Sequence, residues 1–337
     1  MKSRIAVLVL AHRTAPLPYV AATLDARFRL FIHLDAKTAA APPILPPHAN
    51  YITPRIEVFW GGWSMIQATR ALIAAAQAEG GFSRYVLISG DTLPAIPQNR
   101  LEAALLDPAT EFIDLIEVPN DPTLAGTPMQ NAIEKHGWVQ PWRRHNLTTW
   151  DHRLLNPFER ENAAQHYNIP QDRIDWIRGD LEHLTRNLLA NLHPEYPFET
   201  FHYGAQWWAL THETLSALLP TLDHPATQRF FRYIQVPDEH LFQTALANRP
   251  DLLEAKTLKN APIFTAPGPR PPPLSRQQFT TAASHGPHIL FARKFAPEFA
   301  PDVAALIERR QYESEVLVSL EKKARALPWT RKRPRAF

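Results

Sequence analysis

The chain has 337 residues, 45% hydrophobic and 20% charged, which is enough length and apolar content for a full globular core. It contains no cysteine, so disulfides, thiolate metal sites and cysteine nucleophiles are excluded and a reducing compartment is expected. The net charge of +3 hides a division: residues 322–337 hold seven Lys/Arg and no acid, and without them 29 basic residues face 33 acidic ones.

The opening MKSRIAVLVLAH has a charged start and a short apolar run but no small-residue cleavage site, so it reads as a strand, not a signal peptide. No stretch approaches the roughly 18 apolar residues of a membrane span. Ile5–Leu10 (IAVLVL) has strand length, Pro18–Ala26 suits a short helix, and Arg29–Leu34 (RLFIHL) is a second strand. Ser64–Glu79 is the clearest helix. Ser64 stands at the cap, Gln67 at the capping-box position, and Ile66, Leu72 and Ile73 share a stripe. Tyr85–Ser89 and Glu111–Ile116 read as further strands. This alternation predicts an α/β fold, a mainly parallel sheet flanked by helices. Ligands of such sheets bind at the carboxyl ends of the strands. The segments that follow them here, AHRTAP, HLDAK and SGDTLP, are polar.

Residues 120–200 are rich in Pro, Trp, His, Arg and Asn, and are expected to lay loops and short helices over the sheet. Gly204–Thr211 returns to strand character, and HETLSALL to helix. VPDEHLFQTAL (Val236–Leu246) reads as a helix with two acids and a histidine at its mouth. A Pro-rich loop at 262–273 and the strand-like His288–Phe295 follow. In the final helix, Asp302–Ala326, Val303, Leu306, Ile307, Val316 and Leu320 share a face. The expected organisation is one domain over 1–300, a C-terminal helix over 301–326 and a basic tail over 327–337. The tail is expected first as a solubilising segment and second as a contact to anionic lipid; no nucleic-acid motif accompanies it.

P-loop and dinucleotide fingerprints are absent, there is no Asp-x-Asp pair, and the 15 histidines show no HExxH spacing. A central metal is therefore not expected. What remains is four blocks in order over about residues 5–298: LVLAHR with FIHLDAK, VFWGGWSMIQATRALI with YVLISGDTLP, GAQWWALTHE with VPDEHLFQTAL, and LFARKF. Together they resemble the core-2/I-branching family of β-1,6-N-acetylglucosaminyltransferases, which also includes peptide O-xylosyltransferases. The resemblance implies a GT-A-like nucleotide-binding sheet and inverting transfer from a UDP-sugar to a hydroxyl, without metal or other cofactor. UDP-GlcNAc is the first expectation for the donor and UDP-xylose the second. By the same resemblance Glu239 matches the general base, Lys294 the lysine on the diphosphate with Arg293 beside it, and Asp35 the carboxylate near uridine or ribose. His12 and Arg13 line that pocket, and Glu199 matches an acceptor-binding glutamate after a one-residue shift.

Elementary chemistry agrees with these roles. A carboxylate must take the proton of the attacking hydroxyl, and a glutamate of pKa about 4.3 is already ionised at neutral pH. A helix N-terminus would favour the anion further, with Asp238 capping or orienting. Fixed cations must stabilise the departing diphosphate; the second one is expected from Arg270 or Arg276. Among Trp60, Trp63, Trp207 and Trp208, rings can stack on sugars, but Trp207 and Trp208 alternate in direction and at least one is expected in the core. Three departures stand out. SGDTLP displaces the family's acid to Asp91, the segment after residue 256 lacks an aromatic acceptor pattern, and the animal members' disulfides and membrane anchor have no counterpart. The last points to a bacterial-type cytoplasmic enzyme working on a glycan or lipid-linked acceptor, peripheral to the membrane. The alternative is a non-catalytic glycan- or nucleotide-binding protein on the same fold.

Overall fold

In the computed structural model, which describes residues 4–117, 197–231, 236–267, 271–309 and 311–317, the first apolar runs pair directly. The first half contains β1 (Ile5–Ala11), α1 (Leu17–Thr23), β2 (Phe28–Leu34), β3 (Ala49–Tyr51), α2 (Trp63–Glu79), β4 (Arg84–Ser89), β5 (Leu93–Pro94), α3 (Gln98–Leu105), β6 (Thr110–Phe112) and β7 (Ile116–Glu117). The second contains β8 (His202–Tyr203), β9 (Trp208–Thr211), α4 (His212–Asp223), α5 (Pro225–Phe231), a 3-10 turn (Pro237–Glu239), α6 (Leu241–Ala247) and α7 (Pro250–Leu253). It closes with β10 (Thr257–Lys259), β11 (Ile263–Thr265), α8 (Arg276–Thr281), β12 (Phe291–Arg293) and α9 (Pro301–Glu308). Most of the expected cover over 120–200, Arg270, Leu320 and the basic tail lie outside the described residues.

Seven strands form the main sheet in the order β10-β6-β9-β4-β1-β2-β3. β4, β1, β2 and β3 run parallel, as do β10 and β6, while β9 enters antiparallel between β4 and β6. The alternation of β1 explains why its sequence is apolar throughout. Ile5, Val7 and Val9 enter one core with α1, α3 and α9, whereas Ala6 and Leu8 enter the other with α2, α4 and α6. Each fully buried Val, Leu or Ile contributes roughly 1.5–3 kcal/mol of apolar transfer.

A buried ion pair positions β9. Arg84 Nη1 meets Glu111 Oε2 at 3.0 Å, with both side chains at most 1% exposed. The guanidinium also donates to the carbonyls of Leu105, Asp107 and Ala209, and the carboxylate accepts from Thr211 N–H and the hydroxyls of Thr211 and Thr214. This fully partnered network ties β4, β6, β9 and α4 together; a half-satisfied one would be destabilising.

Several expected elements are corrected. Ser64 does not cap α2: the helix starts at Trp63 behind Gly62, and Ser64 Oγ accepts the Phe59 N–H at 2.8 Å. Glu111–Ile116 is not one strand, because Asp114 leaves the ladder to hold two loops, accepting from Ala205 N–H and Ala261 N–H at 2.9 Å each. The strand expected over Gly204–Thr211 begins only at Trp208. Val236–Leu246 is not one helix but a 3-10 turn followed by α6. Val303, Leu306, Ile307 and Val316 are buried as expected, but α9 closes at Glu308. No helix among the described residues is long and apolar enough to cross a membrane.

Candidate active site

The parallel strands β1, β2 and β4 end side by side, so the polar segments after them share one edge. Gly90 makes the closest approach. Its N–H donates to Leu10 O at 2.7 Å, and a Cβ there would stand 2.7 Å from Ala11 Cβ. Only glycine lets this tip lie against the end of β1, and Asp91 is thereby brought to His12. His12 is exposed, but protein packed around its ring lowers its pKa by desolvation; Asp91 raises it, Arg13 lowers it, Asp35 raises it and Lys294 lowers it. The neutral imidazole thus stands among two carboxylates and two cations.

β12 delivers the cations. It runs antiparallel to β5, pairing Ala292 with Leu93, so Arg293 and Lys294 reach the turn after β4. Arg293 Nε lies 3.5 Å from Asp91 Oδ1, and its guanidinium carbon lies 4.9 Å from the centre of the Trp207 ring. Asp91 is itself buried and accepts the Ser89 hydroxyl. On either side of Lys294, Phe295 N–H donates to Asp91 O and Leu274 N–H to the Lys294 carbonyl, both at 2.8 Å. Burial lowers the pKa of Lys294, Arg293 lowers it further, and Asp91 opposes them. An arriving anion would reverse that bias.

Asp35 directly follows β2, with its N–H donating to Ala11 O at 2.8 Å. One carboxylate oxygen builds the loop, accepting from Lys37 N–H at 2.9 Å and from Val58 N–H at 3.4 Å. The other lies 3.9 Å from Lys37 Nζ, which also sits 4.1 Å from the centre of the Phe59 ring. Two positions earlier His33 accepts the Ile56 N–H through Nε2 at 2.9 Å, so the HLD run folds the 55–58 segment over the sheet edge.

The acidic turn closes the arrangement. Val236 holds φ +49°, a left-handed conformation that is strained for a β-branched residue, and its N–H donates to Gly61 O at 3.0 Å. Gly204 N–H donates to the Glu239 carbonyl at 3.0 Å, three residues before the Trp207 ring that contacts Arg293. Glu239 is half-buried beside its buried neighbour Asp238. Asp238 does not cap: neither the turn nor α6 carries a side-chain cap, and Asp238 Oδ1 has no partner among the described residues. Burial, with Glu239 adding repulsion, pushes its pKa up to about 8. The expected helix-mouth support for Glu239 is also reduced, because Glu239 precedes α6 and lies outside its first turn.

The structure therefore brings His12, Asp91, Arg293, Lys294 and Trp207 together, with Asp35 and Glu239 joined to them through the loops at 58–61 and 204–207. Glu199 stands apart. Its N–H donates to Asn248 Oδ1 at 3.0 Å, beyond the far end of the seven-residue α6, a helix length of roughly 10 Å from the acidic turn. Arg276 is committed to Glu315. Trp63, Trp207 and Trp208 are core, with Trp208 fully buried 5.1 Å from Phe242, while Trp60 is 47% exposed beside Gly61. Sequence reasoning undervalued Asp91, whose displacement masked its position, and missed Lys37, although it stands within the quoted HLDAK block. No group of three or more His, Asp or Glu among the described residues has the arrangement of a metal site. A scan of protein-family models finds no match to the chain, and a search of curated proteins finds no relative.

Proposed function

We propose that the chain is an inverting glycosyltransferase of GT-A-like architecture that moves a sugar from a UDP-sugar, GlcNAc before xylose, to a hydroxyl of a glycan or lipid-linked acceptor. The observation that carries this reading is that Arg293 and Lys294 reach the carboxyl edge of a parallel sheet beside His12 and Asp91, while the Glu239 turn is tied by Gly204 to the same connector. In the proposed reaction the acceptor hydroxyl attacks the anomeric carbon from the face opposite the diphosphate. Glu239 takes its proton as the new C–O bond forms and the bond to the diphosphate oxygen breaks. Lys294 neutralises the charge that develops on the leaving oxygen, a charge-assisted contact about twice as strong as a neutral hydrogen bond. Arg293, already held between Asp91 and Trp207, supports the backbone and the local positive field. Asp35 and His12 lie where the nucleoside end would rest.

UDP release measured across donors in excess EDTA tests the proposal. Turnover is expected without added metal, with Glu239→Gln losing about three orders of magnitude or more while retaining UDP binding. Dependence on added Mn²⁺, or undiminished turnover in the variant, would remove the assigned chemistry. For the basic tail, expected first as a solubilising segment, we propose as the second reading a peripheral contact with the anionic, cytoplasmic face of a membrane.

A further inference from the structure

Arg13 follows β1 at the edge that carries His12, and its guanidinium pairs with Glu298 in the turn after β12. Both side chains are accessible, at 42% and 40% exposure. The turn is short, with Phe299 and Ala300 N–H groups both donating to Ala296 O at 3.0 and 2.9 Å. It begins immediately after Lys294 and Phe295, which the Phe295 N–H anchors to Asp91 O at 2.8 Å. Glu298 therefore reaches back over the β1 tip from the strand that delivers the cations. Arg13 adjoins His12 and Glu298 lies four residues beyond Lys294, so their ion pair joins the β1 tip to the segment that carries Lys294, and both cations lower the His12 pKa. Arg276 is drawn away by Glu315.

We infer that Arg13 is the second cation for the diphosphate of a nucleotide donor, and that Glu298 holds it in reserve until that anion arrives. The inference rests on the glycosyltransferase reading above and adds to it a binding residue and an exchange of ion-pair partners. The exchange is favourable on magnitudes. A solvent-screened ion pair restrains Arg13 by no more than about fivefold in affinity. A charge-assisted contact to a diphosphate oxygen is worth roughly tenfold or more. Guanidinium also suits the task, because its planar fork can take two phosphate oxygens at once.

Calorimetric titration of the full chain with UDP, as wild type, Arg13→Gln, Glu298→Gln and the double variant, tests the exchange. Arg13→Gln should weaken UDP about tenfold but leave UMP nearly unchanged, since UMP lacks the second phosphate. Glu298→Gln should tighten UDP by up to about fivefold, and this gain should vanish when Arg13 is already replaced. A gain that persists undiminished in the double variant would reduce Glu298 to a general repulsive charge and overturn the exchange. UDP affinity unmoved by Arg13→Gln, or an equal loss for UMP, would overturn the role of Arg13 alone. Failure of the wild type to bind UDP would instead overturn the glycosyltransferase reading beneath it.

Discussion

Asp238 and Glu239 are consecutive acids with different surroundings. Asp238 is buried with an unpartnered oxygen, and Glu239 is half-buried at the connector to Trp207. Burial and the neighbouring glutamate keep Asp238 protonated up to about pH 8, against 3.8 for an unperturbed aspartate. Between those values the folded chain holds a proton that the unfolded chain releases. Stability therefore falls as pH rises through this window, by at most about 1.4 kcal/mol per pH unit, and levels off above it. Asp238→Asn removes the titrating group and should gain on the wild type as pH rises across that range, measured by urea unfolding at a series of pH values. Turnover of Asp238→Asn at pH 7 should stay near wild type, and any change in wild-type rate that accompanies Asp238 ionisation near pH 8 should be absent from the variant. A large loss at pH 7 in a folded variant would assign Asp238 an ionised role.

At the element scale, the site depends on two glycine contacts more than on helix termini. Gly90 seats the turn after β4 against the end of β1, and Gly204 seats the β8–β9 connector on Asp114. A Cβ at residue 204 would stand 2.3 Å from Asp114 Cβ and 2.7 Å from its carbonyl oxygen, so the backbone itself would have to shift. Gly204→Ala should destabilise the fold by about 1–3 kcal/mol, read as a lowered melting temperature. Because Gly204 N–H also holds the Glu239 carbonyl, the variant should lose turnover beyond its loss of stability. Little of this was readable along the chain. The acidic run looked like a helix because Pro, two acids and a histidine precede an apolar repeat. The structure breaks the helix at His240 and strains Val236 because the turn must reach both Gly61 and Gly204.

The whole molecule separates a near-neutral, slightly acidic body from its seven terminal basic residues at 322–337. Each such residue near an anionic surface contributes about 1 kcal/mol, and salt weakens the sum. Deleting 322–337 should therefore abolish cosedimentation with phosphatidylserine vesicles while leaving UDP release intact. Retained vesicle binding would move the membrane contact onto the body. At the same scale the buried Arg84–Glu111 pair closes the sheet where the chain returns from residues 118–196, joining β4 to β6 and β9.

The strands β1, β2 and β4 and the helix α2 were legible because their signals are local. Apolar runs of strand length and the periodic stretch at 64–79 record which faces are buried, and two-sided burial is what a mainly parallel sheet requires. The polar segments after β1, β2 and β4 were identifiable for the same reason, whereas Asp35, after β2, and Lys294, after β12, were marked only through the family resemblance. Only tertiary structure decided which segments meet. Asp91 faces Arg293 across 202 positions, Glu298 reaches Arg13, and Glu199 departs to the far end of α6. Such pairings depend on strand order, on the antiparallel entry of β9 and on where a missing Cβ permits close approach. Those are properties of the packed sheet and leave no periodic mark on the chain.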